Sequence, residues 1–376
     1  MVIGRYPPTI GGTELQCREL SRILVKRGHQ VSVLTEQNDS SLPQNELQEG
    51  VAVVRFPVGH VPLVTSVRYF HYLGQWLKSH PEVELIHAHM LAGPAMAAFA
   101  WGKILKKPVV LKIAGAGITG DIGTSRQRPQ GHLKLALFKR WTGLITCPSA
   151  QTFGEIAALG IPQARLRVIP NGVRADRFKP VDSAAKIALR KRMGIPDDAL
   201  VALYAGRWAE GKGLDTLLDV WEKTAREGGF PWHLHLVIST PPPEAAKRRL
   251  EALGDRVRIF VRPEDPVLHY QIADLAVLLS ENEGMSNFLL EAMSCGLPLL
   301  TTQSAQVDTP EKSTGWSWLA PRDFAAIREL FERIAAGGNA MLSKGSAARH
   351  KVLETFAIER IAEEYERMYQ QARQGV

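Results

Sequence analysis

Short β-branched runs alternate along the chain with longer segments of helical period. HQVSVLTE, VAVVRFPV, VELIHAHM, PVVLKIAG, GLITCPS and LRVIPNG read as buried strands. GTELQCRELSRILVKRG, AMAAFAWGKILKK and AQTFGEIAALG, between several of them, read as helices. The pattern restarts after residue 198 with ALVALYAGRW, WHLHLVIST, RVRIFV, DLAVLLS and LPLLTT. Strands alternating with helices predict parallel sheets covered on both faces, an α/β fold. The polar, turn-rich stretch NGVRADRFKPVDSA reads as a linker between two doubly wound halves. Such halves hold a ligand between them, at the carboxyl ends of the strands. AIERIAEEYERMYQQARQ closes the chain as a charged amphipathic helix. MVIGR is short for a first buried strand, which reads as a start placed too far downstream.

Composition narrows the class. A length of 376 residues exceeds one comfortable core and predicts two domains. With 45% hydrophobic and 22% charged residues, disorder is excluded. Cys17, Cys147 and Cys295 are far apart, with no CxxC pair, which argues for a reducing compartment and against a disulfide or zinc framework. MVIGRYPP has neither the basic start nor the apolar run of a secretory signal. The longest apolar tract, Met90 to Gly102, is shorter than the roughly 18 residues of a membrane span. A cytoplasmic protein is expected. The net charge of +8 suits phosphate-bearing ligands or an anionic surface. Aromatic residues are not interleaved with Lys/Arg clusters, which argues against nucleic acid.

Four segments carry candidate chemistry. Gly11 and Gly12 precede a helix, where backbone amides can approach a phosphate, and a plain strand-to-helix turn explains them equally well. GAGITG, Gly115 to Gly120, matches GxGxxG formally. Its continuation DIGTSRQRPQG offers neither the helix opening nor the later acidic residue of a dinucleotide fingerprint. In AGRWAEGKGLDTLL, Arg207 stands at a strand end and Lys212 before a helix, two cations suited to a diphosphate. The loop is no Walker motif, because Gly213 replaces the required hydroxyl. In SENEGMSNFLLEAMSCG, Glu283 lies in a loop after a buried strand, and Glu291 about two turns into an apolar helix. A buried carboxylate needs a partner. Ligand hydroxyls would serve Glu291, as would a core arginine, while Ser286 and Asn287 at the helix start offer amides to a phosphate.

Glu283-Gly284 through Glu291-Ala292-Met293, followed by Cys295-Gly296-Leu297-Pro298, resembles the signature of retaining GT-B glycosyltransferases of family 4. The ordered set extends along nearly the whole chain: the early glycine pair, RGHQVSVLT, HAH at 87 to 89, IPNGV at 169 to 173, GRWAEGKG and the closing helix. The resemblance implies two Rossmann-like domains facing a central cleft. Residues 1–178 would form the acceptor-side domain, completed by helix 356–376, and residues 179–355 the nucleotide-sugar domain. It further implies that Glu283 holds donor-sugar hydroxyls and acts in catalysis, and that Glu291 holds the ribose. Arg207 and Lys212 would neutralise the leaving diphosphate, with Gly11, Gly12, Gly284, Ser286 and Asn287 also on the donor. His89 would stand catalytically on the acceptor side. No metal or cofactor is expected beyond the nucleotide-sugar co-substrate.

Three departures bear on this. Ala114 stands where many relatives carry a histidine, Ser239 to Pro243 replaces a commonly glycine-rich loop, and Gln303 to Gln306 replaces a glycine pair. GHLKLALFKRW, with Lys134, Lys139 and Arg140, reads either as a sheet-covering helix or as one lying on an anionic membrane. The expectation is a retaining transferase acting on a glycan, lipid-linked or small hydroxyl acceptor in polysaccharide or glycoconjugate synthesis. The alternatives are a nicotinamide oxidoreductase, through GAGITG, and a non-catalytic sugar-nucleotide binder.

Overall fold

The computed structural model describes residues 1–375 apart from 9–10, 60, 119, 130, 142, 228–229, 308–314 and 321–322. It describes the side chains of these except at 62, 63, 141, 225–227 and 324. The chain forms two compact units, Met1–Gly172 with Ile358–Val376, and Val173–Ala357. Sequence reading put the divisions at 178/179 and 355/356.

In the first unit, β1 (Ser32–Glu36) pairs in parallel with β3 (Val51–Phe56), and β2 (Asn45–Gln48) adds to β3 antiparallel. The β2 strand departs from the expected parallel pattern, because NELQ has too little apolar alternation to read as a strand. A parallel set follows: β4 (Ile86–His89), β5 (Val109–Lys112), β6 (Leu144–Cys147) and β7 (Leu166–Val168). Val2 bridges both Leu34 and Ala88, so the two sets meet at one residue.

Alternation within the strands serves two helical layers. Leu111 and Ile145 face a core with Leu73, Phe99 and Phe138, built by α2 (Pro62–Ser79), α3 (Gly93–Ile104), α4 (Asp121–Arg126), α5 (Gly131–Trp141) and α6 (Ala150–Ala157). Val110 and Leu144 face Leu20, Leu24, Ile361 and Tyr365 of α1 (Gly12–Lys26) and the chain's last helix, α14 (Ile358–Arg373). All three cysteines are buried and free. Burial pushes the Cys17 and Cys147 thiols up to about 12.

In the second unit, β8 (Leu200–Gly206), β9 (Trp232–Ile238), β10 (Val257–Val261), β11 (Leu275–Leu278), β12 (Leu299–Thr301) and β13 (Ser317–Leu319) form one parallel sheet. Its order is β10-β9-β8-β11-β12-β13. The order reverses between β8 and β11, and at such a switch point the loops beyond the strand ends part to admit a ligand. The helices are α7 (Ser183–Arg192), α8 (Leu214–Glu227), α9 (Glu244–Leu253), α10 (Val267–Ile272), α11 (Asn287–Ser294), α12 (Phe324–Ala336) and α13 (Gly338–Lys351). Phe331 packs edge-on against Trp221 and Trp232, and the Trp232 indole N–H donates to the Phe331 carbonyl at 3.1 Å. Among the described residues, no helix is long and apolar enough to cross a membrane.

His235 on β9 and His269 on α10 are buried, with Phe260 4.2 Å from the His269 ring. Neither His235 nitrogen is hydrogen-bonded among the described residues. Burial lowers His235 to about 3 and His269 to about 4, from 6.5. Both folded values lie below the unfolded one, so the unfolded chain takes up the protons first as pH falls. Stability is full above pH 6.5 and is lost as pH falls from there towards 4 and 3. Urea unfolding of the second unit should show a falling midpoint across that window. The fall should be shallower in a His235→Leu/His269→Leu variant, and an equal fall in both would refute the assignment.

Candidate active site

At the switch point, β8 ends in Gly206 and the exposed Arg207, whose carbonyl accepts from the Tyr204 hydroxyl at 2.8 Å. The following turn needs glycine twice, at Gly211 with φ +77° and Gly213 with φ +75°. A Cβ on Gly213 would stand 2.4 Å from the Leu279 carbonyl oxygen. The Gly211 carbonyl accepts from the Glu281 amide at 2.7 Å and the Ser280 hydroxyl at 3.1 Å. The loops after β8 and β11 are thereby stitched together.

This stitching brings the Lys212 ammonium to 2.5 Å from Glu283, with the two side chains 25% and 13% exposed. Arg207 has no ion pair among the described residues. The Ser280 carbonyl also accepts from Thr302 at 2.6 Å and Ser304 at 2.7 Å, so the Gln303 to Gln306 segment supports the Glu283 loop. Ser239 and Thr240 bond the Gly206 carbonyl and the Trp208 amide at 3.0 Å each, which fixes the proline-rich loop beside Arg207.

Ser286 caps α11 by accepting from the Leu289 amide, and Asn287 is its first residue. Glu291 therefore lies just over one turn into the helix, not two. It is half-buried. The Tyr270 hydroxyl donates to it, held by the edge of the Phe178 ring at 5.3 Å. Burial first, and the carboxylate second, raise the Tyr270 pKa far above its usual range, so the hydroxyl stays a donor.

In the first unit, Gly11 is the N-cap of α1 and Gly12 its first residue, at a helix end whose amides and dipole suit an anion. His89 departs from its expected acceptor-side place. The alternation of β4 turns it inward with His87, towards the α14 layer, where the two rings stack at 4.3 Å and His87 bonds Tyr369 at 2.7 Å. At 1% exposure, with burial and the nearby Lys112 holding it neutral, His89 presents no face to an acceptor.

Sequence reading missed Asp121. This buried first residue of α4 accepts from the amides of Leu91 (2.6 Å), Ala114 (2.9 Å) and Gly115 (3.1 Å), tying the β4 and β5 loops together. Burial raises its pKa, opposed by those amides. An acid directly after a glycine loop at a helix start was the available signal. Gly117 donates to Glu155 at 2.8 Å. These GAGITG-region amides thus face carboxylates, where a pyrophosphate would be repelled, and the dinucleotide reading fails on that ground. The short helix after the loop was unforeseen.

Two parallel-sheet α/β units, with two cations and two glutamates gathered at the switch point of the second, have the architecture of GT-B glycosyltransferases. The chain belongs to the group 1, family 4 glycosyltransferases. The model described as Glycosyltransferase Family 4 matches residues 10–177, and that of Glycosyl transferases group 1 matches 199–336.

Among its relatives is the D-inositol 3-phosphate glycosyltransferase of Xylanimonas cellulosilytica, 28% identical over 77% of this chain and 75% of the relative. The mannosylfructose-phosphate synthase of Agrobacterium fabrum is 25% identical over 80% and 74%. Sucrose-phosphate synthase from Thermosynechococcus elongatus superposes with a TM-score of 0.77 at 23% identity, over 99% of this chain and 95% of that one. Anabaena HepE in complex with UDP gives 0.78 at 16% identity, over 99% and 100%.

Gly213→Ala should lower stability by about 1–3 kcal/mol, through a strained positive φ and the Leu279 contact. Urea titration that finds it as stable as wild type would show that the two loops are not interlocked.

Proposed function

We propose that the chain transfers a sugar from a nucleoside diphosphate sugar to a hydroxyl acceptor, with retention at the anomeric carbon, in polysaccharide or glycoconjugate assembly. The observation that carries this is the Lys212–Glu283 pair at the switch point, beside Arg207 and one helix from Glu291. The leaving group is a nucleoside diphosphate, and its developing charge is the main barrier that protein groups can lower. Arg207 offers a planar fork and Lys212 a point charge to that diphosphate. Gly284, Ser286 and Asn287 lead into the start of α11, whose dipole favours the same anion. With these cations carrying the neutralisation, the transfer proceeds without a metal.

Glu283, held by Lys212, accepts from donor-sugar hydroxyls. Glu291 accepts from the ribose, since a carboxylate has about four acceptor positions and can serve a ligand alongside Tyr270. The UDP complex of HepE makes UDP the first nucleotide to try. The names of relatives make phosphorylated small acceptors the first acceptors to try.

Calorimetric titration of UDP, GDP, ADP and NAD should find one diphosphate bound. Glu291→Ala should weaken it about tenfold or more, and Tyr270→Phe less. Arg207→Ala should cut transfer about 100-fold with little change in stability, since the side chain is exposed. Transfer should survive EDTA, and NMR should show the product anomer matching the donor. Binding of NAD alone would overturn the reading, and nucleotide binding without turnover would leave a sugar-nucleotide binder.

A further inference from the structure

The sheet of the first unit is faced by helical layers of unlike charge. α1 and α14 together carry six acidic and six basic residues. Across the sheet, α2 to α6 carry seven Lys or Arg and two acids, Asp121 and Glu155. Both acids are turned to backbone amides, Asp121 to three and Glu155 to that of Gly117. Arg68, Lys78, Lys103, Arg126, Lys139 and Arg140 are exposed, and none forms an ion pair among the described residues. The acids of the connecting loop, Glu82 and Glu84, stand at the amino end of β4.

α2, α3 and α5 lie side by side. Phe70 of α2 meets Trp101 of α3 at 5.1 Å, and Phe99 of α3 meets Phe138 of α5 at 6.2 Å. Their outer surface mixes the cations with exposed aliphatic side chains. Val61, Val64 and Val67 recur every three residues at the start of α2, with Val67 62% exposed, and Leu133 on α5 is 64% exposed.

We propose that this α2–α3–α5 face docks on an anionic lipid bilayer. Aliphatic side chains among cations suit the headgroup boundary, where the former enter the acyl region and the latter meet lipid phosphates. Nucleic acid fits less well, because the nearby aromatic rings are already engaged. Tyr72 stacks on Phe56, Trp76 on His80 at 3.9 Å, and Lys78 covers Trp101 at 5.0 Å, which occupies these rings as stacking platforms for bases. A second copy of the face would set like charges against each other in a two-fold contact. The proposal is independent of the donor reading, since it concerns binding and not transfer.

The full chain should sediment with phosphatidylcholine vesicles containing phosphatidylglycerol, not with phosphatidylcholine alone, and salt should weaken the binding. Lys139→Glu/Arg140→Glu should lose about fivefold or more per cation. Val64→Asp/Val67→Asp should lose at least about tenfold. Both variants should keep the wild-type circular dichroism spectrum and unfolding midpoint. No sedimentation with anionic vesicles overturns the proposal. So does binding that survives Val64→Asp/Val67→Asp and is equalled by polyuridylate, which would reduce the face to a polyanion site.

Discussion

The switch-point edge of the second unit depends on one constraint: β8 and β11 are neighbours and parallel, so their carboxyl ends open on the same side. The register Leu275↔Ala202 and Ala276↔Leu203 fixes the offset between the strands. From that offset the backbone of Gly213 falls against Leu279, and Gly211 comes within reach of Ser280 and Glu281. Two side chains separated by 71 positions then meet as an ion pair. Part-exposed ion pairs contribute little to stability. Lys212–Glu283 is therefore no staple of the fold, and the fold holds the pair in place instead. That is the condition under which both charges can exchange partners for a ligand at small cost.

The first unit solves a similar problem with the opposite chemistry. Its loops after β4 and β5 are also joined by one carboxylate, but Asp121 is buried and bound by three amides. Amides do not leave, so this carboxylate fixes geometry and is unsuited to exchange. The two sites differ in exposure and partner, not in the acid itself. Glu283 faces an ammonium that can change partners, whereas Asp121 under fixed dipoles shapes the loop that carries Ala114 and Gly115.

Much of this was legible in the sequence. Apolar runs between helices marked most strands, because strands buried on both faces have few polar positions to hide their period. The ordered residues Arg207, Lys212, Glu283 and Glu291 marked the second unit's loop edge. The parts that escaped have physical causes. β2 pairs by backbone at an edge, which asks little of its side chains. Asp121 is defined by amides 6 to 30 positions away, and its place directly after a glycine loop was the one local sign of them. His89 was placed by family position, but only the direction of the β4 alternation, set by packing on α14, decides where the ring points.

The three departures from the family pattern are informative because the structure gives two of them a compensation. At Gln303 to Gln306, the hydroxyls of Thr302 and Ser304 both bond the Ser280 carbonyl, a hold that glycines lack. At Ser239 to Pro243, the loop is pinned through Gly206 and Trp208 beside Arg207. Both changes tighten the edge that carries Arg207 and Glu283. Ala114 is different in kind. Its amide is engaged by Asp121, so the loop keeps its path around a side chain of one methyl group. The switch-point edge of the second unit has new anchors, and the loop after β5 has kept its frame.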